Sequence, residues 1–288
     1  MINDLLKEEI KLNLKADLHT HTLHSDGALS PKELLNLAKK KNLSIIGITD
    51  HDTIEGIEEA IKYGNKIGIE VIPGLEISTD VEEQEVHLLG YFINHKDEEL
   101  NKYLQFFRNE RLERAKRILS KLEKIGISLK LTDVQKIAQN SPICRPHIAK
   151  AMVEKGFIKN FHEAFQKYIG DNGPAAEKKI HVSPQSAIKI INDAGGLAFI
   201  AHPGHMKESI LTNLINLGID GIEVIHCSHK RMQQKFYRGI VNQYCLLESG
   251  GSDFHGGPRN DEDNFGKYFT KSSVVENIRQ MAKTKLVS

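Results

Sequence analysis

Histidines and a carboxylate crowd a short stretch near the start of the chain, ADLHTHTLHSDGALS at residues 16–30. His19 and His21 stand two residues apart at the end of an apolar-alternating run, which is typical of a β-strand. Side chains two residues apart on a strand point to the same face, so both imidazoles can reach one metal ion. Asp26 follows as a candidate oxygen ligand. His24 falls on the opposite face by the same alternation and is predicted not to bind metal.

Imidazoles and carboxylates recur together at the ends of other predicted strands. Beyond the first stretch they are Asp50, His51, Asp52, Glu76, His87, His202, Glu223, His226, Asp253 and His255. Nitrogen and carboxylate ligands without thiolates suit zinc, manganese or iron better than magnesium alone. Because they outnumber the ligands of one ion, we predict two or three divalent metal ions. Clustered metals favour phosphoryl transfer, since they lower the pKa of bound water and neutralise charge on phosphate oxygens.

Four of these residues are assigned to supporting roles or left open. Asp50 and Asp52 flank His51, and one of them is predicted to hydrogen-bond a ligand rather than bind metal itself. Glu223 and His226 could orient ligands or substrate, or could simply lie nearby. The sequence does not choose between these roles.

Short β-branched runs alternate with helical segments in the parts of the chain that carry these residues. The predicted strands are KADLH, LSIIGITD, EVIPGLEIS, EVHLLGYF, LAFIAH, GIEVIH and LLESGGSDFH. Seven strands linked mostly through helices predict an α/β barrel, in which chemistry takes place at the carboxyl ends of the strands. Only TDVEEQE separates the third and fourth strands, so this pair should form a hairpin with Glu76 and His87 at the same end of the sheet.

The region from 97 to 179 reads as helices alone. We therefore predict a catalytic barrel built from residues 1–96 and 180–288, and an inserted all-helical subdomain over 97–179 that covers the substrate.

Composition limits the kinds of partner. The 288 residues carry a net charge of +1, which argues against a protein that grips long duplex nucleic acid by charge. Three widely spaced cysteines form neither a disulfide framework nor a thiolate zinc site, and they favour a reducing cytoplasm. No stretch is apolar enough for a secretory signal or a membrane span, so no membrane partner is expected.

With these residues in view, the chain resembles the PHP (polymerase and histidinol phosphatase) superfamily of metal-dependent phosphoesterases. Six motifs match in order between Asp17 and His255: DLHTHTLHSDG, GITDHDT, PGLEIS, VHLLGY, AHPG and GSDFH. The resemblance implies a distorted seven-stranded (β/α) barrel, similar to a TIM barrel, with a trinuclear metal centre.

The resemblance also implies which residues hold each ion. The three ligand sets are His19, His21, Glu76 and Asp253; Glu76 with His87 and His202; and Asp26, His51 and His255. Glu76 would bridge the first two ions. A metal-bridging hydroxide held by Glu76, Asp253 and His202 would attack phosphorus. Manganese is the expected metal, and iron or zinc are alternatives.

A second resemblance lies in the insert, at CRPHIAKAMVEKGFIKNFHEAFQKYIGDNGPA. This stretch is similar to the helical subdomain of PHP enzymes that remove the 3′-phosphate from nucleoside 3′,5′-bisphosphates, some of which also trim short RNA from its 5′ end. In that branch Arg145 and His147 would bind substrate phosphate. A guanidinium group suits this role because it binds phosphate oxygens bidentately.

Three other functions remain as alternatives. A histidinol-phosphate phosphatase would share the metal ligands but not the Arg-Pro-His insert. An amidohydrolase also begins with His-x-His at a strand end, yet it would need a bridging lysine on a middle strand, and none is found at a strand end. A non-catalytic, metal-dependent nucleotide-binding module would not need to keep every ligand position.

Overall fold

The computed structural model describes residues 13–82, 84–204 and 206–286. The chain divides into two compact units. The first extends to Asn101 and resumes at Val182, and the second covers Lys102 to His181.

Eight strands form one sheet in the first unit. They are β1 (Lys15–Asp17), β2 (Ile45–Ile48), β3 (Glu70–Val81), β4 (Gln84–Tyr91), β5 (Leu197–Ile200), β6 (Gly221–Ile225), β7 (Leu247–Gly250) and β8 (Thr270–Lys271). The helices of this unit are α1 (Pro31–Lys40), α2 (Ile57–Ile67), the start of α3 (Glu98–Lys124), then α7 (Pro184–Asp193), α8 (Glu208–Asn216), α9 (Arg231–Gln243) and α10 (Ser272–Lys285), with a 3₁₀ turn at Gly257–Arg259.

The sheet curls into a nearly closed barrel. Its strand order is β7-β6-β5-β4-β3-β2-β1-β8. Strands β1, β2 and β3 pair in parallel, as do β5, β6 and β7, whereas β4 is antiparallel to both of its neighbours, β3 and β5. The Leu18 amide donates to the Gly250 carbonyl at 3.2 Å, and Thr20 forms a parallel bridge with Phe254. These contacts join the exits of β1 and β7, so the predicted α/β barrel is confirmed. The two-residue strand β8, which pairs antiparallel with β1, was not among the seven predicted strands.

The predicted hairpin between the third and fourth strands is also confirmed, but its geometry differs from the expectation. β3 continues to Val81, so Glu76 lies in the middle of the strand and not at its exit. The polar residues of TDVEEQE are themselves paired, Thr79 with Val86 and Asp80 with Glu85. Polar residues can extend a strand in this way because the backbone ladder does not depend on the side chains.

The start of α1 follows from its capping residues. Ser30 is the N-cap, its Oγ accepts from the Glu33 amide at 3.3 Å, and Glu33 Oε2 accepts from the Ser30 amide at 2.9 Å. Pro31 occupies the first helical position, where its missing N–H costs nothing. This capping box ends the loop that carries Asp26. The four residues of β2 are all buried, as a strand covered on both faces requires.

The second unit is helical. It contains the rest of α3, then α4 (Leu131–Ala138), α5 (Arg145–Glu154), the short α6 (Phe161–Ala164) and a π-helical turn at Phe165–Ile169. Its apolar core includes Leu122, Val134 and Met152. The unit begins a few residues after the predicted insert boundary at 97, because the first turn of α3 belongs to the first unit. None of the helices in the described part of the chain has the length and apolar character needed to cross a membrane.

Candidate metal centre

Two segments that leave neighbouring strands run side by side and bring four predicted ligands together. The segment after β1 carries His19 and His21, and the segment after β7 carries Asp253 and His255. The Asp253 amide donates to the His19 carbonyl at 3.0 Å. A Cβ atom on Gly251 would lie only 2.5 Å from the backbone nitrogen of His19, so the glycine of GSDFH permits the two segments to approach this closely.

The first ligand group surrounds the buried carboxylate of Glu76. His19 Nε2 lies 3.2 Å from Glu76 Oε2 and 3.3 Å from Asp253 Oδ1. His21 Nε2 lies 3.3 Å from Glu76 Oε2 and 3.1 Å from Asp253 Oδ1. One ligand atom from each of these four residues falls within 4.8 Å of the others, which is the spacing of a metal site.

The second group faces the other oxygen of Glu76. His87 Nδ1 lies 2.8 Å and His202 Nε2 lies 3.0 Å from Glu76 Oε1. His51 Nδ1 approaches Oε2 at 3.2 Å. The two oxygens of one carboxylate therefore face different imidazoles, which is the arrangement of a bridging ligand.

The third group lies around Asp26. His255 Nε2 is 3.2 Å, His21 Nδ1 is 3.8 Å and His51 Nε2 is 4.0 Å from Asp26 Oδ1. These four residues again fall within the spacing of a metal site. The structure thus brings together all nine predicted metal ligands in the first unit.

Four buried atoms of this centre form no hydrogen bond. They are His21 Nδ1, Asp26 Oδ1, His51 Nδ1 and His255 Nε2. A buried polar atom without a partner is costly, so native proteins rarely leave several together. A divalent cation would satisfy these lone pairs at once, and the donor set therefore fits metal ions.

Hydrogen bonds at the far side of three imidazoles determine which nitrogen is left for a metal. His19 Nδ1 lies 3.0 Å from Glu223 Oε1, and His255 Nδ1 lies 2.8 Å from the Asp253 carbonyl. Because these oxygens only accept, each Nδ1 carries a hydrogen and leaves Nε2 as the metal-binding atom. His87 is reversed, since its Nε2 lies 3.0 Å from Glu85 Oε1 and its Nδ1 faces the centre.

The metal-free centre holds protons on part of this imidazole set. Burial lowers the pKa of His87, but the carboxylates of Glu76 and Glu85 outweigh it and raise the pKa to about 10. Burial also lowers the pKa of His21, yet hydrogen bonds to carboxylates bring it to about 9. Burial alone dominates at His51 and lowers its pKa to about 3. Metal binding must therefore displace protons from His21 and His87.

Glu223 and His226, whose roles the sequence leaves open, contact candidate ligands in this structure. Glu223 Oε1 accepts from the His19 ring, and Oε2 accepts from the His202 amide at 2.7 Å, where His202 has the uncommon φ of 24°. His226 Nδ1 accepts from the Ser228 amide at 3.1 Å, so its Nε2 hydrogen points at Asp253 Oδ2, 3.4 Å away. His19, Glu223 and His226 also have the spacing of a metal site. Their facing atoms are already used in hydrogen bonds, which argues against metal binding there.

The aspartates beside His51 support loops. Asp50 accepts from the Thr22 amide at 2.6 Å and from Ser25 Oγ at 2.6 Å, and so shapes the turn before Asp26. Asp52 accepts from the Ser78 amide at 3.2 Å. Neither aspartate appears in a ligand group of the described residues.

Sequence reasoning missed Arg259. Its Nη2 donates to Asp26 Oδ2 at 2.6 Å. Its Nη1 lies 3.0 Å from His255 Nδ1 but does not donate to it, because the hydrogen on that nitrogen points at the Asp253 carbonyl. The guanidinium thus holds the second oxygen of Asp26 while Oδ1 faces the centre. The only signal in the sequence was a cation soon after the GSDFH motif.

His24 and the predicted substrate-binding pair lie elsewhere. The His24 ring is half-buried, 3.8 Å from Glu55 Oε2, and belongs to none of the ligand groups found in the described chain. Arg145 and His147 are in the second unit, at the start of α5. Arg145 Nη1 contacts Asp171 Oδ1 at 2.5 Å, and His147 Nδ1 accepts from the Cys144 amide at 3.1 Å.

Comparisons with known proteins agree with this centre. The PHP domain family matches residues 17–172. A 5′-3′ exoribonuclease of Haemophilus influenzae is 35% identical over 247 residues, which cover 84% of this chain and 90% of the relative. A 3′,5′-nucleoside bisphosphate phosphatase of Chromobacterium violaceum is 33% identical over 246 residues, 83% of this chain and 86% of the relative.

Solved structures show the same fold. A Bifidobacterium adolescentis protein described as a metal-dependent phosphoesterase superimposes with a TM-score of 0.76 at 30% identity, covering 91% of this chain and 94% of its own. A Chromobacterium violaceum structure described as an amidohydrolase, with bound sulfate and no metal, gives a TM-score of 0.76 at 29% identity, covering 94% of this chain and 96% of its own. This chain therefore belongs to the PHP domain family and is a metal-dependent phosphoesterase.

Proposed function

We propose that the protein hydrolyses the 3′-phosphate of nucleoside 3′,5′-bisphosphates, giving a nucleoside 5′-monophosphate and phosphate. The observation that carries the proposal is the convergence of nine candidate imidazole and carboxylate ligands, eight in the ligand groups and His202 through its contact with Glu76. Four of the nine have a buried atom without a hydrogen bond. The name of the Chromobacterium violaceum relative supports this substrate.

The proposed cofactor is two or three divalent ions, with manganese first and iron or zinc as alternatives. Imidazole and carboxylate ligands without thiolates accept all three metals. When bound, such ions lower the pKa of water and neutralise charge on phosphate oxygens. Since the three cysteines are free, we also propose that the protein works in a reducing compartment such as the cytoplasm.

The chain's own residues would divide the remaining work. Glu76, Asp253 and His202 would border the water that attacks phosphorus, because Glu76 contacts His202 directly and Glu76 and Asp253 both contact His19. Arg145 and His147 would bind the substrate's other phosphate, and the helical subdomain would thereby cover the substrate. A guanidinium with several N–H donors suits phosphate oxygens.

Phosphate release tests the proposal. We would assay adenosine 3′,5′-bisphosphate and histidinol phosphate with added Mn²⁺. Wild type would be compared with Glu76→Gln and with Glu59→Gln, a control at a half-buried position on α2 that pairs with Lys32. Turnover of the bisphosphate that Glu76→Gln abolishes and Glu59→Gln preserves would support the proposal. Preference for histidinol phosphate would favour the alternative phosphatase, and bound metal without hydrolysis of either ester would favour the nucleotide-binding module.

A second candidate activity is 5′-3′ trimming of short RNA. The observation that favours it is the name 5′-3′ exoribonuclease, which the Haemophilus influenzae relative carries. Incubation with a 5′-phosphorylated hexaribonucleotide should release mononucleotides from the 5′ end first. Release from the 3′ end, or no release at all, would exclude this activity.

A further inference from the structure

Helix α9 begins at the edge of the candidate metal centre. It follows His226 by five residues, and its inner face holds the loop next to the ligand His202. Gln233 Nε2 and the Tyr237 hydroxyl both donate to the Gly204 carbonyl, at 3.0 and 2.8 Å. The first turns of α9 are therefore anchored beside the centre.

The opposite face of α9 is exposed and carries both cations and large apolar side chains. Met232 is 75% exposed and Phe236 is 53% exposed, whereas Tyr237 next to it is buried. We call Lys230, Arg231, Met232, Lys235 and Phe236 the α9 surface; all five are exposed.

The charge of this region is one-sided. Between His226 and Leu247 the sequence has four lysines and arginines and no aspartate or glutamate, although the whole chain is nearly balanced at 39 cations to 38 anions. Arg238 is neutralised by Glu248 at 2.8 Å. Within the described chain, no carboxylate forms an ion pair with Arg231 or Lys235.

Unpaired cations interleaved with an exposed ring match the chemistry of single-stranded nucleic acid. Lysine and arginine bind the phosphates, and an aromatic face stacks on any base. An anionic membrane is a poorer fit, because a membrane-binding helix needs a broad apolar face, whereas the exposed face of α9 carries two large apolar side chains, Met232 and Phe236.

We propose that the α9 surface binds the single-stranded body of an oligoribonucleotide whose 5′ end lies at the metal centre. The inference rests on the proposed function and deepens it, since it assigns part of the chain to substrates longer than a mononucleotide. A free bisphosphate nucleotide has no neighbouring nucleotides that could lie on this surface.

The test compares two substrates in the same variants. We would measure kcat/KM for a 5′-phosphorylated hexaribonucleotide and for adenosine 3′,5′-bisphosphate. Phe236→Ala should lower the value for the oligonucleotide about tenfold, as expected for a lost stacking contact. The double variant Arg231→Gln/Lys235→Gln should also lower kcat/KM for the oligonucleotide. It should reduce the slope of log(kcat/KM) against log salt concentration by about 1.4, since each phosphate contact on a single strand contributes about 0.7. Neither change should alter bisphosphate hydrolysis.

A charge-matched control is available on α2. Lys62→Gln/Lys66→Gln removes two exposed lysines, also four residues apart, and should leave both substrates unaffected. Circular dichroism and thermal unfolding would show that the variants fold.

Several outcomes would overturn the inference. Equal losses on both substrates, or none on either, would show that α9 does not select oligonucleotides. Binding of phosphatidylserine vesicles or self-association that the same substitutions abolish, with unchanged RNA cleavage, would identify a different occupant. A wild type that hydrolyses the bisphosphate but not RNA would refute this inference alone, whereas no bisphosphate hydrolysis would refute the proposed function.

Discussion

Glu223 and Glu85 make the same contact in opposite surroundings, and this pair offers a sharp test of the centre. Glu223 Oε1 lies 3.0 Å from His19 Nδ1, and Glu85 Oε1 lies 3.0 Å from His87 Nε2. In both histidines the other ring nitrogen faces Glu76. The Glu223 side chain is fully buried, whereas that of Glu85 is 55% exposed.

We expect Glu223→Gln to weaken metal binding about 10- to 100-fold, as loss of a carboxylate behind a ligating histidine typically does. The glutamine amide has one acceptor oxygen, but the site presents two donors, the His19 ring and the His202 amide. One buried N–H would therefore face another donor, at a cost of about 1–3 kcal/mol. Glu85→Gln should change affinity by no more than about threefold, because water replaces an exposed partner.

Competition with a fluorescent chelator would give Mn²⁺ and Zn²⁺ affinities, and elemental analysis after dialysis would give the number of bound ions. Thermal unfolding of the metal-free proteins would show whether each variant folds. The reasoning is refuted if both variants lose the same affinity, or if folded Glu223→Gln binds metal as tightly as wild type.

Three further predictions address the pH dependence, the third ligand group and the core. The folded-state pKa values of His21 and His87 are raised to about 9 and 10, so protonation of these two side chains stabilises the folded metal-free protein fully below about pH 6.5, and this stabilisation is lost as the pH rises through 9 to 10. The free energy of unfolding of the metal-free protein, measured in urea, should follow this course. Adding metal in weak buffer should release protons. Arg259→Gln removes the partner of Asp26 Oδ2 and should lower the bound metal count by up to one ion in elemental analysis. Ile46→Ala should reduce the free energy of unfolding by about 3 kcal/mol in urea titrations, because the side chain is fully buried in β2.

Each of these predictions has a control or a contradicting result. Arg279→Gln removes an arginine that pairs with Glu70 and Glu276, away from the ligand groups, and should leave metal content unchanged. Met281→Ala, at a 45% exposed position, should cost less than about 1 kcal/mol. Stability of the metal-free protein that rises between pH 7 and 10 would contradict the assigned histidine protonation.

Local patterns along the chain predict the barrel class and the composition of the candidate centre. Strand runs, capping residues and the short link before β4 are local patterns, and local patterns can be read along the chain. The spacing of His19 and His21 also carried information, because two residues on an extended backbone share a face. The motif resemblance then indicated the remaining candidate ligand positions in order.

The contacts that support the centre are long-range and exist only in the folded chain. The roles of Glu223 and Arg259 depend on partners far away in sequence, His19 and Asp26. No periodicity connects residues about two hundred positions apart; the barrel does so by joining the exits of β1 and β7. The extension of β3 beyond Glu76 could not be predicted from the sequence for the same reason. It depends on backbone pairing with β4, and polar side chains neither require nor prevent that pairing.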